Sequence, residues 1–100
     1  MFKFLVDNIY KDLVHDLDRD TPTILYFSED DFTIVLDRVK EFGIGIYGIE
    51  VSLKGEYFGV EVFEDYQTTP NDFKWYTAAF EKLKSKNSEL RYSASYQVQL

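Results

Sequence analysis

The stretch that decides the fold runs from Ile44 to Asp65. It reads Ile44-Gly45-Ile46-Tyr47-Gly48-Ile49-Glu50-Val51-Ser52-Leu53, then Lys54-Gly55-Glu56, then Tyr57-Phe58-Gly59-Val60-Glu61-Val62-Phe63-Glu64-Asp65. Two runs of β-branched and aromatic residues, split by a short segment containing glycine, predict an antiparallel hairpin. Side chains on a strand point alternately to its two faces. Tyr47, Ile49, Val51 and Leu53 are therefore expected to point inward, joined by Phe58, Val60 and Val62 on the return strand. The outer face then carries Ile46, Gly48, Glu50 and Ser52, beside Tyr57, Gly59, Glu61, Phe63 and Asp65.

Upstream of the hairpin, Ser28 can cap a helix. Asp31 follows three residues on, and Phe27 and Phe32 hold the two positions of a hydrophobic staple. Phe32, Val35, Leu36 and Val39 make its buried stripe, and Gly43 ends it in the left-handed conformation that glycine tolerates. Ile24-Leu25-Tyr26-Phe27 predicts a brief strand or a buried approach to that helix. Phe2, Leu5, Val6, Ile9, Leu13, Val14 and Leu17 recur at helical spacing, which predicts an amphipathic helix from Phe2 to about Asp18. Asp18-Arg19-Asp20-Thr21-Pro22 breaks that pattern.

Downstream, Thr69 is expected to cap a further helix, with Pro70 at its first position and Asp72 at its third. Phe73, Tyr76, Phe80 and Leu83 give it an apolar face. Lys82, Lys84 and Lys86 suit the negative end of its dipole. Tyr92, Ala94, Tyr96 and Val98 alternate with polar residues, so the chain is expected to finish in a strand. The sum is an α+β fold: one antiparallel sheet with a central hairpin and helices packed on one face. Val35, Leu36, Ile49, Val51, Val60, Val62, Phe73 and Phe80 are the expected core.

A length of 100 residues fits a single domain over 1–100. Eight Tyr and nine Phe are more rings than one small core encloses, so some Tyr are expected at the surface. The net charge of −7 repels phosphate backbones and anionic lipid, which argues against nucleic-acid and membrane partners and favours a basic one. With no cysteine there is no disulfide, thiolate metal site or cysteine nucleophile. The opening residues, Met1-Phe2-Lys3-Phe4-Leu5-Val6-Asp7, lack the pattern of a signal peptide. No apolar run approaches the roughly 20 residues of a membrane span. A cytoplasmic location is the expectation.

Three motifs fail on context. Gly43-Ile44-Gly45-Ile46-Tyr47-Gly48 spells G-x-G-x-x-G, but a dinucleotide site needs it after a strand and before a helix. Here a helix precedes and a strand follows, so Gly43 reads as a helix stop, and Gly45 and Gly48 as a bulge or a close approach of other backbone. Asp16-Leu17-Asp18-Arg19-Asp20 resembles the start of a calcium loop, yet Thr21 and Phe27 stand where that loop needs glycine and glutamate. His15, the single histidine, has no second His or Cys with which to share a metal. No enzyme, cofactor or metal is expected.

The outer face of the hairpin remains. Glu50 and Glu61 are expected opposite each other or one pairing step apart, where like charges destabilise a sheet. Acids beside Tyr57 and Phe63 make a binding surface for a basic partner: the rings anchor and the acids steer. Glu50, Tyr57, Glu61, Phe63 and Asp65 are the candidate partner-binding residues. Replacing Glu61 by Lys should then leave the fold intact or stabilise it slightly. Glu29, Asp30 and Asp31 form a second acidic cluster, in a helix first turn where acids are favoured anyway.

Gly43 to Val51, followed by Gly55 and an acidic return strand, resembles small acidic immunity proteins of bacterial toxin systems, of the colicin and contact-dependent growth-inhibition kinds. The resemblance implies neutralisation of a cognate toxin domain, often a basic nuclease, through a tight protein–protein complex. The alternative expectation is a non-catalytic adaptor or regulatory domain, phage-encoded or homodimeric through its sheet.

Overall fold

The computed structural model describes residues 2–17 and 24–98. The amphipathic start is shorter than its pattern. An α-helix, α1 (Phe2–Phe4), widens into a π-helix over Leu5–Ile9 and ends at Tyr10. The helical pattern therefore does not extend to Asp18: Asp12 takes a positive φ of 65° and the chain turns into a short strand, β1 (Asp16–Leu17). The predicted break at Asp18 to Pro22 lies outside the described residues. β1 pairs antiparallel with β2 (Leu25–Tyr26), so of the two alternatives for Ile24 to Phe27 the structure has the brief strand.

That helix, α2 (Glu29–Phe42), begins and ends as its sequence dictates. The Ser28 side chain accepts a hydrogen bond from the Asp31 backbone N–H at 3.2 Å, and Gly43 closes the helix at φ 70°. The hairpin strands are β3 (Gly45–Leu53) and β4 (Glu56–Val62). Lys54 and Gly55 both have positive φ, 53° and 84°, which makes a two-residue turn whose twist matches the strands. A 3-10 turn over Phe63–Tyr66 follows, then α3 (Phe73–Lys84) and β5 (Arg91–Gln97). The α3 cap is Asp72, not Thr69: its carboxylate accepts from the Lys74 N–H at 3.0 Å and from the Thr68 hydroxyl at 2.6 Å. Phe73 thereby becomes the first helical residue, 41% exposed, with its ring under the Lys40 ammonium.

The sheet runs β4-β3-β5, all antiparallel. Beyond β5, Phe27 adds one antiparallel bridge to Tyr92. α2 and α3 cover one face. Their side chains meet the sheet in an aromatic cluster in which Phe32 stacks on Tyr92 and Phe80 meets both rings edge-on. Ile46, Ile49, Val51, Val35, Val39 and Leu83 belong to the same buried cluster. Val35, Leu36, Ile49, Val51 and Phe80 are in the core as expected, but Val60 is 46% exposed and Val62 only half-buried.

The reason is a β-bulge. After the turn Leu53 faces Glu56 and Ser52 faces Tyr57, but Val51 then faces Gly59, so Phe58 is the extra residue. One extra residue inverts a strand's two faces. Glu61 now stands opposite buried Ile49, and Val60 stands opposite Glu50. A second bulge, between Ile46 and Gly48 on the β5 side, turns Ile46 inward and leaves Tyr47 outside, reversing their expected places.

Burial raises several phenol pKa values. Tyr10, Tyr66, Tyr76 and Tyr92 are each pushed up to about 12, chiefly by desolvation, and Tyr96 is pushed well above its ordinary value by the same cause. Each folded value lies above the unfolded one of about 10. The stabilisation they share is therefore complete below about pH 10 and declines as the pH rises towards about 12.

Denaturant midpoints should accordingly fall between about pH 10 and 12, with tyrosinate absorbance rising in step with unfolding. Titration of all eight Tyr near pH 10 without loss of stability would contradict this burial. Ser28→Ala should cost about 1 kcal/mol in urea unfolding, and an unchanged midpoint would mean the cap contributes nothing.

Candidate protein-binding surface

The face of the sheet away from α2 and α3 is built from three cross-strand rows, set by register alone. Glu50 lies between Ser93 of β5 and Val60 of β4, and the Phe27–Tyr92 bridge brings Tyr26 alongside Ser93. One row over, Gly48 lies between Ser95 and Val62. On the other side, Ser52 lies between Arg91 and Tyr57. The centre of this face is thus made of Gly48, Ser93 and Ser95, which have little or no side chain. Bulkier residues stand around them.

Small residues ringed by large ones leave a hollow. A cleft of about 260 Å³ opens here, walled by Tyr47, Val60, Val62 and Ile24, with Glu50 and Glu64 supplying its carboxylates. Gly48 lies close to its neighbour: a Cβ there would stand 3.3 Å from the Glu61 carbonyl oxygen, a tight contact. The hydroxyl of buried Tyr26 donates a hydrogen bond to Glu50 Oε2, which orients the carboxylate. Tyr47 leans against Phe63, with ring centroids 6.0 Å apart.

The five candidate residues are therefore dispersed. Glu50 and Tyr57 share the open face, and Tyr57 is 67% exposed. Glu61 does not stand with them. The bulge at Phe58 turns it to the helix side, where it accepts from the Tyr66 hydroxyl at 2.7 Å and from the Lys82 ammonium at 3.3 Å. The expected repulsion between Glu50 and Glu61 is absent because the two point to opposite faces. Phe63 and Asp65 are not on the strand but on the 3-10 turn; Phe63 is half-buried against the core and Asp65 is exposed. Sequence reasoning misses Tyr47, Val60, Val62 and Glu64. Alternation assigns the first three to the interior, and nothing in the sequence marks Glu64.

Other clusters offer less. Glu29, Asp30 and Asp31 occupy the first turn of α2, where the helix dipole favours them. Gly43 ends α2 and Gly45 opens β3, so the carbonyl end of the helix faces the G-x-G-x-x-G stretch, the wrong pole for a phosphate. Gly45 serves packing: a Cβ would meet Pro70 Cβ at 2.9 Å. Asp18 and Asp20 of the calcium-loop-like stretch lie outside the described residues. Among the described residues no group of three or more His, Cys, Asp and Glu could hold a metal ion, and no helix is long and apolar enough to cross a membrane.

The new position of Glu61 reverses the expected effect of changing it. Glu61→Lys should destabilise by about 2 kcal/mol, because it removes an acceptor from Tyr66 and sets a cation beside Lys82. Tyr66→Phe in the same background should add little further loss. Equal or greater stability of Glu61→Lys in urea unfolding would return Glu61 to the open face. Comparison with known proteins finds no matching family model, no similar curated protein and no similar solved structure.

Proposed function

We propose that the chain is a cytoplasmic immunity protein that binds and neutralises a cognate basic toxin domain, such as a nuclease. The observation that carries this reading is the open sheet face. It presents Tyr57, Val60 and Tyr47 to solvent around a single oriented carboxylate, Glu50, on a chain of net charge −7. Exposed aromatic and aliphatic side chains supply the anchors of a protein interface, and the acidic field speeds encounter with a basic partner. Neutralisation needs no chemistry from this chain.

A second reading has its own observation. β4 is an edge strand bearing exposed Tyr57, Phe58 and Val60, the kind of edge that proteins usually protect. An adaptor that dimerises through its sheet would use that edge. The net charge of −7 on each copy opposes this, which is why a basic partner is preferred.

The test is complex formation with the protein encoded beside this chain's gene, followed by calorimetry on variants. Tyr57→Ala and Val60→Asp should each weaken binding by about 2 kcal/mol while leaving thermal stability close to wild type. No complex, or unchanged affinity in both variants, would sink the proposal. A stable dimer of the free chain in sedimentation, abolished by Val60→Asp, would establish the second reading instead.

A further inference from the structure

Resting on the reading of the open face as a protein-binding surface, we infer that the cleft at Glu50 receives one arginine side chain of the partner. Size is the first argument. At about 260 Å³ the cleft falls just below the range of roughly 300–1,000 Å³ typical of small-molecule sites, yet it has room for one long side chain.

Chemistry is the second. The walls given by Tyr47, Val60 and Val62 are apolar and aromatic, suited to the methylene stem and flat face of an arginine. Carboxylates stand at two places on the lining, Glu50 and Glu64, and Ser95 adds a hydroxyl. A guanidinium has five donors in a planar fork and no acceptor, so it can address acceptors at several points. A lysine ammonium is a compact, strongly hydrated point charge and gains less from an aromatic wall.

Preorganisation is the third. The Tyr26 hydroxyl occupies one oxygen of Glu50, and Tyr26 is itself buried. The carboxylate is therefore oriented before any partner arrives, and less side-chain freedom is lost on binding. An exposed glutamate on a bare strand would have no such restraint.

The test uses Nα-acetyl-arginine methylamide as the probe, titrated into the isotopically labelled full chain and followed by amide chemical shifts. Shifts at Gly48, Glu50 and Ser95 are expected. The citrulline analogue, equal in shape but uncharged, should produce none at the same concentration. Glu50→Gln should lower the affinity about tenfold or more, and Ser95→Trp, which fills the cleft from an exposed position, should abolish it. Tyr57→Ala, outside the cleft, should leave probe binding unchanged even though it weakens the partner complex. Absence of shifts, equal binding of citrulline, or shifts confined to Glu29, Asp30 and Asp31 would overturn the inference. Tighter binding of free L-arginine than of the capped form would also overturn it, in favour of a small-molecule site. None of these outcomes bears on complex formation itself, so the two proposals fail separately.

Discussion

The position of Tyr92 ties the molecule together. Its backbone exchanges two hydrogen bonds of 2.8 Å with Phe27, and it stands opposite Val51 across β5 and β3. Its ring, fully buried, stacks on Phe32 of α2 and meets Phe80 of α3 edge-on. One residue thus joins both covering helices, the last strand and the segment leading into α2. Aromatic pairs in such geometries gain about 0.5–1.5 kcal/mol beyond the area they bury. Here three rings share the gain, and each belongs to a different element.

The same junction orients the open face. Strand side chains alternate, so fixing Phe27, Tyr92 and Val51 inward fixes Tyr26, Ser93 and Glu50 outward. Ser93 stands between Tyr26 and Glu50 in this row, and the Tyr26 hydroxyl reaches the Glu50 carboxylate. The orienting hydrogen bond of the proposed site is therefore a consequence of core packing on the other side of the sheet. A substitution that shifted Phe27 against Tyr92 would move Tyr26 with it.

Local signals are legible where a few adjacent residues decide the geometry. Ser28 with Asp31, Gly43, and the alternation of Tyr92, Ala94 and Tyr96 each specify their own conformation without reference to distant parts of the chain. The turn at Lys54 and Gly55 falls in this class as well. The bulge at Phe58 does not. Without it, Val60 would face Ile49 and point inward, as alternation requires. With it, Glu61 takes that place and finds Tyr66 and Lys82. Those partners lie 5 and 21 residues away in sequence, and only the folded arrangement brings them together. The α3 start departs from its expected place for a related reason. Thr69-Pro70 has the composition of a cap, but Pro70 is used elsewhere: its carbonyl accepts from the Ile46 N–H and from the Trp75 indole.

The bulge also changes the kind of recognition the open face can perform. With Glu50 and Glu61 side by side, the face would have held two like charges, each raising the cost of burying the other. With Val62 in the place opposite Gly48 and Val60 opposite Glu50, the Glu50 carboxylate stands beside apolar side chains, and on the proposed reading a partner cation would meet it in a setting that excludes more water. Charge pairs gain strength as water is excluded, provided each member is satisfied. Tyr26 supplies part of that satisfaction before binding. On the proposed reading, long-range attraction would come from the net charge of −7, and selectivity from the oriented Glu50 and the shape around it. Steering and selection would thereby fall, on that reading, to different parts of the surface.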